Sequence, residues 1–484
     1  MSAAAPPPVV AEDPWPWIGR GVTVLRSLGL TPGDRLVVLR GGDLATFGLL
    51  AAACLEGVVA VPLPPDLSDT ELATIIRDAD PQAVLVDPDL IRARATLAAC
   101  DRLVVARTAA EVAARSASEP SARWPRTRPM AYTSGTTGRR KGVHAGVHAE
   151  AWGAHLIDDE HAAFDRRHGE VHLVVSPLYH SGPFRFALVT ALTGGRIAVL
   201  PRFDAAGWRD ALREVRPTSV FCVPTHLHRL LALPELAQDD LASLTLLAHA
   251  GAPCPVPLKE RVLEVAPDGA VWEFYGSTEG QFTVAPPDVW RAAPGTVGVA
   301  RPDRRLEVRA GDGTVLAPRE VGTVWAHVPD HARFTYWRDP ERTAAAWDGD
   351  AFTVGDLGRL DEAGRLLLEG RPGDLVISGG VNVYPAEVER ALLGLEGVAE
   401  AVVFGVPDEE WGERLVAAVV PWPGHALDGA TLRTALRAEV SRAKVPKRVL
   451  VVEELPRTGM GKVRRRGLGT ALGVGTADVA GGAG

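Results

Sequence analysis

The chain has 484 residues, 46% of them apolar and 23% charged, which excludes a disordered or fibrous protein for its bulk and suffices for about three core-sized units. A net charge of −8 leaves no whole-chain basic field to hold a phosphate backbone and argues against nucleic acid as a partner. Cys54, Cys100, Cys222 and Cys254 show no CxxC pairing or regular spacing, so they read as reduced packing residues rather than a disulfide framework or zinc ribbon. The N-terminus lacks a basic segment followed by an apolar one, and long apolar stretches are interrupted early, as by Glu56 within 47–63; a cytoplasmic protein with no membrane span is expected.

In chain order, the spacing predicts a strand at 35–40, a helix at 43–55, a strand at 57–63 and a helix from Ser68, where Ser68 and Glu71 form a capping-box signature. Strands at 83–87 and 102–107 follow. This alternation implies a mostly parallel sheet covered on both faces. It resumes with strands at 171–177, 196–201, 219–224, 244–250 and 270–276, interleaved with helices such as 208–215. Residues 295–371 change to short strands with turn signals at Asp312-Gly313 and at 361–364, which indicates hairpins. A helix opened by Pro385, strands near 399–406 and 413–420, a helix near 432–441 and a strand at 448–455 make an α+β unit of about 100 residues. The expected fold class is therefore α/β: two doubly wound subdomains and a small β subdomain in a large N-terminal domain (1–373), then a small C-terminal domain (374–484). The ends, 1–14 and 470–484, are Ala/Gly/Pro-rich and expected to be disordered.

The sharpest segment is Tyr132-Thr133-Ser134-Gly135-Thr136-Thr137-Gly138-Arg139-Arg140-Lys141-Gly142. Its glycines let backbone approach an anion, its hydroxyls supply donors, and Lys141 with two arginines adds positive charge, so the loop suits a polyphosphate. It is not a Walker loop, because Lys141 follows Arg140 and precedes Gly142. Only five residues are lysine, against 47 arginines, and two of the five lie in the motifs described here.

The segment resembles the phosphate loop of the adenylate-forming superfamily: acyl-CoA synthetases, nonribosomal-peptide adenylation domains and luciferases. The usual pattern there is Thr-Ser-Gly-Thr-Thr-Gly-x-Pro-Lys-Gly, and here Arg140 stands in the proline's place. Four further segments follow in family order. Phe274-Tyr275-Gly276-Ser277-Thr278-Glu279 resembles the stretch whose aromatic stacks on adenine, whose threonine meets the α-phosphate and whose glutamate holds Mg²⁺. Gly355-Asp356-Leu357-Gly358 resembles the site of the ribose-binding aspartate, with Val354 replacing the usual threonine. Gly370-Arg371-Pro372-Gly373-Asp374 resembles the hinge segment, with Arg371 on the ribose and Asp374 as the pivot of a mobile C-terminal domain. Residues 456–462 resemble the loop whose lysine, here Lys462, reaches the acyl-adenylate oxygens.

The resemblance implies ATP, Mg²⁺ and CoA as cofactors and a small carboxylic acid as substrate. Residues 377–389 resemble the acyl-CoA synthetase segment in which paired glycines, here Gly379 and Gly380, let the pantetheine arm pass. Phe404 to Asp408 and Trp411-Gly412-Glu413 also favour the CoA ligases. A carrier-protein thiol as acceptor, nitrite as the activated oxyanion, and a homodimeric assembly stay open. Residues 177–183 resemble the gate segment, which implies that His180 positions the substrate carboxylate. Phe184, Phe186, Thr225 and 250–253 are candidate walls of the acyl pocket. Seven of thirteen histidines fall between His144 and His180, and the pairs His144/His148 and His168/His172 read as a polar helix face rather than a metal site.

Overall fold

A computed structural model of the chain describes residues 9–474 except 94, 99–102, 135–139, 379–380, 409–410, 458–462, 464 and 466. The first parallel sheet runs in the order Val59–Leu63, Arg35–Leu39, Ala83–Val86, Leu103–Ala106. Apart from Arg35 its strands hold only apolar residues, as expected of a sheet covered on both faces. The helix Leu44–Glu56 begins where Asp43 accepts from Thr46 N at 2.6 Å and crosses the helix Trp15–Ser27 at very close range. A Cβ on Gly48 would stand 2.4 Å from Trp17 O, so that crossing requires glycine.

The second parallel sheet has the order Val271–Glu273, Leu246–His249, Ser219–Cys222, Val171–Val174, Arg196–Val199. Its helix Ser181–Leu192 shares one core with Leu44–Glu56, with Phe184 tilted against Phe47 at 6.0 Å. A three-stranded sheet joins Ala131–Ser134, Arg140–His144 and Thr335–Tyr336. The antiparallel β subdomain is built on Arg305–Arg309, Gly322–His327, Leu357–Leu360 and Leu366–Gly370. Buried ion pairs lock it to the helix Glu150–Phe164: Arg301 with Glu160 at 3.0 Å and Arg304 with Asp159 at 2.7 Å.

The small C-terminal domain packs the helices Pro385–Leu393 and Gly429–Glu439 on a sheet of Val381–Val383, Val376–Ser378, Gly412–Pro421 and Val398–Asp408, with Arg448–Val451 added in parallel. It meets the large domain where Trp422 lies 4.6 Å from the His228 ring and 4.8 Å under the Arg261 guanidinium. Among the described residues no helix is long and apolar enough to cross a membrane.

Of the two ends, 1–8 and 475–484 lie outside the described residues; in their described parts Glu12 exchanges backbone hydrogen bonds with Ile197, at 2.9 Å each way, and Val474 is buried after the helix Leu468–Ala471. One expectation is corrected. The histidine pairs do not share a helix face. His144 ends a strand, His148 lies in a loop, His168 in a turn, and His172 is buried in a strand against Ser219 at 2.9 Å.

Candidate active site

Parallel strands leave a ligand crevice outside their carboxyl ends. From the end of Val271–Glu273 the chain continues through Phe274 and Tyr275 into a tight turn, closed by Ser277 N donating to Gly280 O at 2.8 Å and by a bridge between Gly276 and Gln281. Gly280 lies against Phe352, where a Cβ would fall 2.8 Å from the ring. The turn buries Glu279, 4% exposed, and leaves Thr278 half-buried beside it.

Glu279 Oε1 accepts from Tyr336 OH at 2.9 Å and stands 3.0 Å from Lys141 Nζ, which donates to the same hydroxyl at 2.7 Å. Register explains the meeting. Tyr336 is opposite Val143 on the neighbouring strand, which puts Lys141 on its diagonal, and the ammonium lies 3.9 Å from the Tyr336 ring centroid. Burial raises the proton affinity of Glu279, but the Lys141 charge and hydrogen bond outweigh it and hold the carboxyl below its usual range. Burial and then Glu279 push the Tyr336 phenol up, so at neutral pH an anionic acceptor faces two donors.

The same turn begins at Tyr275, whose hydroxyl donates to Asp356 Oδ2 at 2.5 Å. Arg371 Nε donates to Asp356 Oδ1 at 2.6 Å, so both carboxylate oxygens are fixed. Burial, reinforced by Asp356, raises the Tyr275 phenol. Burial opposes the charge on Arg371, yet Asp356 raises its affinity overall. Asp374, at the end of the turn Pro372–Asp374, accepts from Arg465 at 2.9 Å.

Thus Lys141, Glu279, Tyr275, Asp356 and Arg371, from segments 230 residues apart in the chain, form one connected site. His180 stands on the same edge of the second sheet, at the start of Ser181–Leu192, with its ring edge-on to Tyr179 at 4.6 Å. Thr133 pairs with Lys141, and Ser134 with Arg140, across the strand ladder. Gly135, Thr136, Thr137, Gly138, Gly379, Gly380 and Lys462 lie outside the described residues.

Thr133 Oγ1 is buried without a hydrogen-bond partner among the described residues, which fits a ligand that brings an acceptor oxygen. Glu279 is a hard, ionised oxygen donor of the kind Mg²⁺ takes. Among the described residues no group of three His, Cys, Asp or Glu side chains could hold a metal, consistent with an ion that draws its remaining ligands from phosphates and water.

Some expected roles change. Phe186 stacks on Phe221 at 5.2 Å and on Phe274 at 6.0 Å in a closed aromatic core, so it and Phe184 are packing residues rather than pocket walls. Gly251, Ala252 and Pro253 are exposed at the sheet edge. Arg140 turns away from the site to Glu71. Tyr336 was not among the residues singled out: within Thr335-Tyr336-Trp337 it reads as packing, and only the strand register exposes it.

Residues 22–337 match the family model described as AMP-binding enzyme, and 387–462 match the AMP-binding enzyme C-terminal domain. The chain is 32% identical to an indoleacetate–CoA ligase of Aromatoleum aromaticum, covering 93% of this chain and 90% of that protein. It is also 32% identical to the fatty acid–[acyl-carrier-protein] ligase ScoC of Streptomyces coeruleorubidus, over 92% of this chain and 88% of that one. The crystal structure of ATP-bound MatB from Rhodopseudomonas palustris superposes with a TM-score of 0.82 at 31% identity, covering 94% and 92% of the two chains.

Proposed function

The chain belongs to the AMP-binding enzyme family, and we propose that it uses ATP to convert a carboxylic acid into an acyl-adenylate and then transfers the acyl group to the thiol of CoA. The observation that carries this reading is the joining of Lys141–Glu279 to Tyr275–Asp356–Arg371 through one turn, which offers a cation for phosphates and a fixed carboxylate for a ribose a few residues apart. The two CoA- and carrier-protein-dependent ligases above support an acyl transfer to a thiol.

The chemistry follows from charge. A carboxylate attacking an α-phosphate brings two anions together, so donors must already face the oxygens on which charge builds. Lys141 faces the leaving phosphates, Thr133 and the residues of its loop (Ser134, Gly135, Thr136, Thr137 and Gly138) supply further donors, and Thr278 meets the α-phosphate. Tyr275, Asp356 and Arg371 hold the adenosine. His180 positions the acid, and Lys462 supplies the cation for the acyl-adenylate oxygens. Mg²⁺ held by Glu279 would add charge compensation for the phosphates. Gly379 and Gly380 give passage to the pantetheine arm, and the pivot at Asp374 places the boundary between domains at 373/374. We place the enzyme in the cytoplasm.

Acid-dependent exchange of labelled pyrophosphate into ATP, screened over many acids, tests the first half; no exchange with any acid would refute it. A supporting acid should then give a CoA thioester and faster AMP release when CoA is added. Acylation of a carrier protein without a CoA thioester would move the acceptor to the carrier, the reading that the similarity to ScoC favours next. Exchange supported only by nitrite would move the substrate to an inorganic oxyanion.

A further inference from the structure

Arg140 replaces the proline that usually precedes the loop lysine, and the structure shows where its side chain goes. Successive side chains of a strand point to opposite faces, so Arg140 and Lys141 leave Arg140–His144 in opposite directions. Lys141 reaches Tyr336 and Glu279. Arg140 Nη2 donates to Glu71 Oε1 at 2.6 Å.

Glu71 is itself fixed. It is the third residue of the helix Asp69–Ala79, and its Oε2 accepts from Ser68 N at 3.2 Å and from Ser68 Oγ at 3.0 Å in a complete capping box. One oxygen therefore holds the helix start while the other holds Arg140. A cleft of about 500 Å³, lined by Asp78, Arg140, Lys141, Trp337, Arg338 and Arg342 among others, opens beside this end of the strand. The Arg140 hydrogen bond is also what most lowers the Glu71 carboxyl, which keeps the pair charged.

We propose that Glu71 is a positioning residue for nucleotide binding: through Arg140 it fixes the strand end that carries Lys141, the restraint that a proline at this place supplies through its ring. The inference rests on the reading of this site as a nucleotide site. The pair is an ion pair in place of a backbone restraint, so either device should serve and the two should not add.

The test measures binding of Mg²⁺-ATP by calorimetry, and thermal unfolding, for the full chain and for E71Q, E71A, R140P and E71A/R140P. E71A should weaken ATP binding about 5- to 20-fold, and E71Q somewhat less, because glutamine keeps the capping box but not the charge. R140P should bind ATP within about threefold of the parent, and adding E71A to it should change binding less than about twofold. The melting temperature should fall for E71A in both backgrounds, since the cap is lost in each, and further in the parent, where the Arg140 pair is lost with it. Equal weakening of ATP binding by E71A in both backgrounds, unchanged binding in E71A, or an R140P variant that binds as poorly as E71A would each overturn the inference. A parent chain that binds no ATP would instead overturn the nucleotide reading and this inference with it.

Discussion

The two parallel sheets share one grammar and differ in what they bury. The strands of the first end on Leu39, Leu63, Val86 and Ala106 and are apolar there; a buried charge, Arg40, follows Leu39 just outside the strand and pairs with Asp87 at 2.9 Å. Those of the second end on Cys222, His249 and Glu273 in a single row across three neighbours, because His249 is in register with both others. Lys259, from the helix Val256–Val265, enters that row fully buried and contacts His249 Nε2 at 2.5 Å and Glu273 Oε2 at 3.5 Å. The site's turn leaves the sheet one residue beyond Glu273. A covered parallel sheet needs only apolar runs to be stable, so a buried polar row at one carboxyl edge marks where structure serves something besides folding.

That asymmetry can be broken deliberately. Glu273→Ala leaves the Lys259 ammonium in the core without its carboxylate and should lower stability by about 3–5 kcal/mol. It should also raise the KM for ATP, since Phe274 N is bonded to His249 O and Tyr275 follows directly. Leu85→Ala, in the middle of the first sheet, should cost about 2–5 kcal/mol through its cavity and leave that KM unchanged. Denaturant unfolding with ATP kinetics on both variants decides; equal effects on KM would erase the difference between the sheets.

Next in size is the site itself. Glu279→Gln keeps the shape of the turn but removes the charge that Lys141 answers, and pyrophosphate exchange should drop by about 10² to 10³ with the fold intact by circular dichroism. Tyr336→Phe removes one hydroxyl bonded to both ends of that pair. Hydrogen bonds to charged groups contribute about 1.5–3 kcal/mol, so kcat/KM for ATP should fall roughly 10- to 100-fold, less than for Glu279→Gln. A larger loss for Tyr336→Phe than for Glu279→Gln would make the tyrosine, not the carboxylate, the centre of the cluster.

How far such contrasts can be read from the sequence depends on the period of the signal. The strands were legible because each is a short apolar run bounded by turn residues, and Tyr275, Glu279, Asp356 and Arg371 because their segments resemble, in order, the motifs of the adenylate-forming superfamily. The helix Trp15–Ser27 was not, since Pro16, Gly19 and Gly21 interrupt its pattern, while Gly21 serves its crossing with Leu44–Glu56. Spacing of i, i+4 placed His168 and His172 on a helix, although His172 lies in an apolar run that pairs as strand. Phe186 carried no mark distinguishing a pocket wall from a core ring. Tyr336 and the Arg140–Glu71 tie depend on partners 57 and 69 residues away, which no local pattern encodes.

The smallest predicted effect separates the sheets by pH. No histidine precedes His144, so the first sheet contains none, whereas His172 and His249 lie in strands of the second and His226 and His228 on the helix Pro224–Leu231 packed against it. Burial, the largest cause for each, holds all four below the ordinary histidine range, His226 at about 4. Below pH ~6.5 the unfolded chain takes up protons that the folded second sheet refuses, so stability falls as pH drops, from the unfolded value toward the folded one. For His226 the loss at pH ~5.5 is roughly 1 kcal/mol. Glu307, held at about 2, and the other carboxylates with lowered values begin to matter only below about pH 4.5, whereas burial raises the Glu273 carboxyl, which gains a proton as pH falls and offsets part of the histidine loss. Hydrogen exchange at pH 7.0 and 5.5, corrected for intrinsic rates, should show peptides from 171–273 losing protection while those from 35–86 keep theirs. Equal loss in both would mean that the two units open only together, and that the buried histidines report on global unfolding rather than on the second sheet.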